Sequence, residues 1–87
     1  MKISGEFILR EVAGETILVP VGKTALQFNG IITLDPVGTL IWKGLVDGKE
    51  RDAILADILD TFEVETQVAS DDLDDFLKKL CDSGFLE

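Results

Sequence analysis

The stretch IITLDPVGTLIW, residues 31–42, decides the fold because the spacing of its apolar residues changes in the middle. Before Asp35 the chain consists of short alternating or β-branched segments, which are typical of strands. After it, Val37 and Leu40 begin an apolar series at helical spacing. Asp35 is a good N-cap, and Pro36 suits the first helical position, where its missing N–H breaks no hydrogen bond. We therefore predict strands before this point and helices after it.

Three strands are predicted in the first part of the chain. Residues 7–12 and 16–19 flank the turn Ala13-Gly14-Glu15, and this arrangement predicts a β-hairpin. A third strand is predicted over residues 26–34, with a bulge or bend at Asn29-Gly30. Strands that precede helices as a separate group are typical of an α+β fold, with helices covering one face of an antiparallel sheet.

Three helices are predicted in the remainder of the chain. The first ends at Asp47-Gly48, because glycine favours the position after a helix. The second runs from near Glu50 to Phe62, and Asp47 is the nearest candidate for its N-cap. The third has Thr66 as its predicted N-cap, and Gly84 follows its C-terminus. The order βββααα predicts one α+β domain over the whole chain, winged-helix-like, with a three-stranded antiparallel sheet followed by a three-helix bundle.

The composition predicts a small soluble protein with one core. The chain has 87 residues, of which 46% are hydrophobic, enough for a modest core without metal or disulfides. Its apolar runs are too short to cross a bilayer, and its N-terminus does not resemble a signal peptide. The single cysteine, Cys81, forms no internal disulfide, so we expect a reducing, cytoplasmic location. Cys81, Trp42 and Phe85-Leu86 are predicted to lie in the core.

The charge and the missing residue types argue against catalysis and nucleic-acid binding. Seventeen acidic residues against eight basic ones give a net charge of −9, which repels phosphate backbones. Histidine is absent, which removes the commonest general base and metal ligand. The acids of the third helix lack the spacing of a calcium loop. We therefore expect a binding protein that is not an enzyme, with no cofactor and no metal.

Residues spread along almost the whole chain carry a family resemblance. They are Phe7, Arg10, Gly14, Ile17-Leu18-Val19, Leu34, Ile41-Trp42, Asp47-Gly48, Asp72, Phe76-Leu77, Leu80 and Gly84-Phe85-Leu86. In order and spacing the sequence resembles the PqqD family, the precursor-peptide recognition elements of ribosomal peptide biosynthesis. One departure is Asp35, where the family usually has asparagine. Both residues cap helices, but the aspartate adds a negative charge that favours a basic ligand.

The resemblance implies a domain that binds the leader segment of a precursor peptide. In that family the peptide adds as an extra strand to the edge of the third strand, with its side chains against the third helix. The implied peptide-binding residues of the strand are Phe28, Ile31, Ile32, Thr33 and Leu34. Those of the third helix are Asp72, Leu73, Asp75, Phe76 and Leu80, next to Leu77. The sequence leaves open which apolar residues of this helix are core and which line a groove.

The resemblance also implies a partner enzyme, and other functions stay open beside it. The partner is expected to be a separate maturation enzyme, such as a radical enzyme, a peptidase or a cyclase. Its contact surface is expected on exposed parts of the first strands or of the second helix. The alternatives are a winged-helix nucleic-acid-binding protein and a small scaffold or regulatory protein. Nucleic acid is disfavoured because the third helix has Lys78 and Lys79 against five acids. No membrane partner is expected, and both a monomer and a homodimer remain open.

Overall fold

The structure is a computed structural model that describes residues 1–28 and 30–87. Its elements are β1 (Phe7–Val12), β2 (Glu15–Pro20), α1 (Lys23–Gln27), β3 (Ile32–Leu34), α2 (Pro36–Val46), α3 (Arg51–Thr61) and α4 (Thr66–Asp82). They fall into two compact units, one of residues Gly5–Thr39 and one of Met1–Ser4 with Leu40–Glu87. Strands followed by helices confirm the predicted α+β class.

The first unit contains a three-stranded antiparallel sheet in the order β1-β2-β3. Its hairpin turns at Ala13 and Gly14, whose φ angles of 53° and 81° both lie in the left-handed region. Two such residues match the twist of the flanking strands, so Val12 pairs directly with Glu15. β3 then pairs antiparallel with the other edge of β2. The predicted hairpin and the three-stranded sheet are therefore confirmed.

The two faces of the sheet differ in exposure. Leu18 of β2 is fully buried, and Leu34 of β3, which lies on the same face, is 5% exposed. On the opposite face, Ile8 and Val12 of β1 are 41% and 52% exposed. Alternate side chains of a strand point to opposite faces, so β1 and β2 each contribute to one buried and one more exposed surface.

The predicted third strand is wrong in its first half. Residues 23–27 form the short helix α1, and β3 begins only at Ile32. The predicted bulge at Asn29-Gly30 involves Asn29, which lies outside the described residues. The helix is fixed by Thr24, which is buried and whose Oγ1 accepts a 2.8 Å hydrogen bond from the backbone N–H of Glu6. Ala, Leu and Gln in this segment are also good helix formers, which the apolar alternation concealed.

The second unit buries the apolar stripes of the helices. Its buried hydrophobic side chains are those of Ile41, Trp42, Leu45, Ile54, Ile58, Ala69, Leu73, Leu77, Leu80, Phe85 and Leu86. The core positions predicted for Trp42 and for Phe85-Leu86 are confirmed. Cys81 is exposed, so its predicted core position is wrong. The stripe of α4 is already complete at Leu77 and Leu80, and Cys81 turns about 100° away from Leu80 around the helix axis.

The helix caps were predicted with mixed success. Asp35 is confirmed as the cap of α2, since its Oδ1 accepts a 2.7 Å hydrogen bond from the N–H of Gly38. Glu50 and Glu65, both extended, occupy the N-cap positions of α3 and α4, so the predictions of Asp47 and Thr66 are wrong. Neither glutamate makes a side-chain capping bond. Gly84 follows the C-cap of α4 with a φ of 81°, as predicted.

The two ends of the chain pair within the second unit. Ile3 and Leu86 form an isolated antiparallel bridge. The N–H of Ser4 donates to the carbonyl oxygen of Phe85 at 2.9 Å, and the N–H of Glu87 donates to that of Lys2 at 2.8 Å. Among the described residues, the helices are all too short or too polar to cross a membrane.

α2 and α3 approach each other closely at Gly44, which has no side chain. A Cβ at Gly44 would lie 2.9 Å from Cγ1 of the fully buried Ile54. We expect Gly44→Ala to lower the free energy of unfolding by about 1–3 kcal/mol through overpacking, measured by urea denaturation. At an uncrowded helical position, a change from glycine to alanine would raise the free energy of unfolding by about 1 kcal/mol. The sign of the measured change therefore distinguishes overpacking from helix propensity. The control Ala53→Gly, at an exposed helical position, reports helix propensity alone, and a stabilising Gly44→Ala would contradict the prediction.

Candidate functional site

The outer edge of β3 is the first part of the candidate site. β3 ends the strand order β1-β2-β3, and in the described chain no strand pairs with its second edge. The backbone N–H and C=O groups of such an edge are available to an added strand. β3 has only three residues, and successive residues direct these groups to opposite edges. The free edge therefore offers the groups of one or two residues, and side chains must supply the remaining affinity.

The predicted residues of this strand differ in what they can offer a ligand. Leu34 is buried and Ile32 half-buried on the same face of the sheet. Thr33 is exposed on the opposite face, and Ile31, just before the strand, is 57% exposed. Phe28 is half-buried after α1. The structure thus brings Ile31, Ile32 and Thr33 together as accessible positions, whereas Leu34 can contribute mainly backbone groups.

The predicted residues of the third helix lie on α4, in the other compact unit. Leu73 is fully buried and Leu80 is 3% exposed, so both belong to the core. Phe76 is half-buried, and Asp72 and Asp75 are exposed. The sequence left open which apolar residues of this helix are core and which are accessible. Of the predicted apolar residues on α4, Phe76 is the one that retains accessible surface. The contact of this face with a peptide stays a prediction.

One acid of α4 has a structural partner that the sequence did not reveal. Arg51 of α3 donates from Nε to Oδ1 of Asp74 at 2.6 Å and from Nη2 to Oδ2 at 3.0 Å. The same Nη2 lies 2.6 Å from Oγ of Ser70. The hydrogen bond from Arg51, together with its charge, lowers the pKa of Asp74 from its usual value of 3.8. Asp74 therefore joins α3 to α4, and no sequence spacing within one helix signals such a pair.

The other acids in the first half of α4 have fewer partners. Asp71 accepts a 2.9 Å hydrogen bond from Nε2 of Gln67, one turn earlier. Within residues 1–28 and 30–87, Asp72 and Asp75 have neither a hydrogen bond nor an ion pair through their side chains. In the same part of the chain, no three His, Cys, Asp or Glu residues are grouped as ligands of a metal ion. Asp72 and Asp75 are thus the exposed acids of this helix that have no side-chain partner in the described residues.

The Arg51–Asp74 pair predicts a specific pH dependence of stability. A carboxyl whose pKa is lower in the folded than in the unfolded state stabilises the fold above its unfolded-state pKa. This contribution is lost as the pH falls below about 4, through the folded-state value. We expect Asp74→Asn to be less stable than the parent at neutral pH, with the difference shrinking in acid, in urea melts across the pH range. Asp72→Asn is the matched control, and a pH-independent difference for Asp74→Asn would contradict the assignment.

Comparisons with known proteins agree with this architecture. The sequence model of the family described as "Coenzyme PQQ synthesis protein D (PqqD)" matches residues 15–86. A solved structure, "TbiB1 in Complex with the TbiA(beta) Leader Peptide", is 30% identical in sequence and superposes with a TM-score of 0.78. The match covers 100% of this chain and 95% of that chain. A search of curated proteins found no match. The resemblance expected from the sequence is confirmed, and the chain belongs to the PqqD family.

Proposed function

We propose that this protein binds the leader segment of a ribosomally made precursor peptide and presents it to a separate modifying enzyme. The observation that carries the proposal is the unpaired edge of β3 in a member of the PqqD family. A similar structure is described as a complex with a leader peptide, which supports the same ligand class here. The protein acts as a cytoplasmic peptide chaperone and itself catalyses no reaction.

Strand addition at β3 is the proposed mode of binding. The leader peptide lies alongside residues 32–34 and exchanges backbone hydrogen bonds with them. Each such bond contributes about 0.5–1.5 kcal/mol net, and the short edge supports few of them. Apolar contacts must therefore supply much of the affinity, and Ile31, at 57% exposure, is the most accessible apolar side chain beside the edge.

The charge of the protein favours a leader with basic residues. The net charge is −9, and Asp72 and Asp75 are exposed carboxylates that have no partner in the described chain. Asp35, directly after β3, adds a further negative charge near the proposed edge. Exposed charges of opposite sign accelerate association more than they strengthen the complex, and salt screens them. The same net charge disfavours nucleic acid as the ligand.

The role of Ile31 is tested by titrating the protein with the leader of the precursor encoded beside its gene. We expect Ile31→Ser to weaken binding about tenfold, because a largely exposed isoleucine is buried by the peptide only in the complex. Leu26→Ser is the matched control, since Leu26 is an 86% exposed apolar residue of α1 and not of the strand. Isothermal titration calorimetry measures both. Equal losses for the two variants would remove the specific role of Ile31.

The strand geometry is tested from the side of the peptide. We expect N-methylation of single leader residues to weaken binding at alternate positions, because a paired strand directs every second N–H toward its neighbour. Amide shifts of the labelled protein should concentrate in residues 31–34. The control is the leader methylated outside its binding segment. A uniform effect along the peptide, with no shifts in β3, would rule out strand addition while leaving other modes of leader binding open.

A further inference from the structure

The face of the sheet opposite Leu18 forms a second exposed surface, which we call the outer sheet face. Its members are Ile8, Arg10 and Val12 of β1, Glu15, Ile17 and Val19 of β2, and Thr33 of β3. Ile8 lies opposite Val19, and Arg10 lies opposite Ile17, which in turn lies opposite Thr33. Ile8 and Val12 are 41% and 52% exposed, and Ile17 and Val19 are half-buried. Four apolar side chains thus share one accessible surface.

Arg10 is the cation of this surface, in a chain that is otherwise rich in acids. It is exposed and forms no ion pair or side-chain hydrogen bond with any residue that the structure describes. Glu15 is its diagonal neighbour across the hairpin, yet the two are not paired. By contrast, Lys49, which precedes α3, and Arg51 and Lys78 of the helices each have a carboxylate partner. Arg10 is therefore available to a carboxylate on another molecule.

The outer sheet face is continuous with the proposed leader site. Thr33 lies on this face and also belongs to the free edge of β3. A peptide strand paired with β3 directs every second side chain to the same face. The row formed by Arg10, Ile17 and Thr33 would then continue into a leader side chain. A protein that contacts this row contacts the carrier and its peptide together.

The charge of the protein indicates what kind of molecule can bind the outer sheet face. Two copies packed face to face would bring a net charge of −9 against a net charge of −9, which opposes a homodimer through this face. Anionic lipid surfaces are repelled by the same net charge. The complementary surface is an apolar protein patch that carries a carboxylate for Arg10.

We propose that the outer sheet face, with Arg10 as its charged contact, is the docking surface for the modifying enzyme. The enzyme contributes an apolar patch with an aspartate or glutamate, and it binds best when a leader strand extends the face. This proposal rests on the proposed function, because the leader supplies part of the surface. It assigns leader capture to the edge of β3 and enzyme recruitment to the outward side chains of β1 and β2.

The proposed docking surface is tested by measuring enzyme binding and leader binding separately. The probe is the purified maturation enzyme encoded beside the precursor gene, titrated into the leader-loaded protein. We expect Val12→Ser and Arg10→Gln each to weaken enzyme binding about tenfold, with leader affinity unchanged. Arg10→Gln should also reduce the salt dependence of enzyme binding. The matched controls are Val46→Ser, an apolar position of 62% exposure on α2, and Lys43→Gln, an exposed cation of the same helix.

The possible outcomes separate this proposal from the proposed function. Unchanged enzyme affinity in Val12→Ser and Arg10→Gln, or no enzyme binding by the parent protein, overturns the docking surface. Failure of the parent protein to bind leader overturns the proposed function instead. A homodimer that Val12→Ser dissociates in sedimentation experiments assigns the face to a second copy and also overturns the proposal. Thermal unfolding of each variant verifies that these exposed substitutions leave the fold intact.

Discussion

The sheet depends on β2, which among the described strands is the one hydrogen-bonded along both edges. Leu18 lies at its centre, opposite Leu9 on one side and Ile32 on the other, and it is fully buried. Because side chains alternate, a register shift of one residue would move Leu18 to the outer sheet face and an outward residue to the core. Burial of Leu18 therefore fixes which side chains of β2 point inward, and burial of Leu34 does the same for β3. That register places Thr33 on the outer sheet face. In the part of the chain that the structure describes, no strand pairs with the second edge of β3.

Local signals in the sequence were sufficient for most of the fold. Asp35-Pro36 predicted the start of α2, because a capping carboxylate and a proline have effects that depend only on their own helix. The hairpin at Ala13-Gly14 was predictable for the same reason. α1 was not, since Leu26 and Phe28 imitate a strand. The helix is fixed instead by the contact of Thr24 with Glu6, and no spacing reveals a contact between such distant residues.

For the candidate site, the structure gives the exposure of the predicted residues, and their contact with a peptide stays a prediction. The family resemblance placed it at the third strand and the third helix, and Ile31, Ile32 and Thr33 are accessible there. Burial is a property of the packed molecule, so the sequence did not separate Leu73 from Phe76 on one apolar stripe. Ion pairs between different helices likewise cannot be predicted from the sequence. Nothing in the sequence distinguishes the four aspartates in the first half of α4. In the structure, Asp74 is the one that forms an ion pair with Arg51.

Because Ile3 and Leu86 form a bridge, the two terminal segments of the chain separate from the domain together. Separation of either end removes the hydrogen-bond partner of the other, since Ser4 donates to Phe85 and Glu87 donates to Lys2. Native-state fraying is therefore cooperative between segments that are almost a full chain length apart. In hydrogen exchange, the amides of Ser4 and Glu87 would share one protection factor. A peptide fused to one terminus would likewise emerge beside the other.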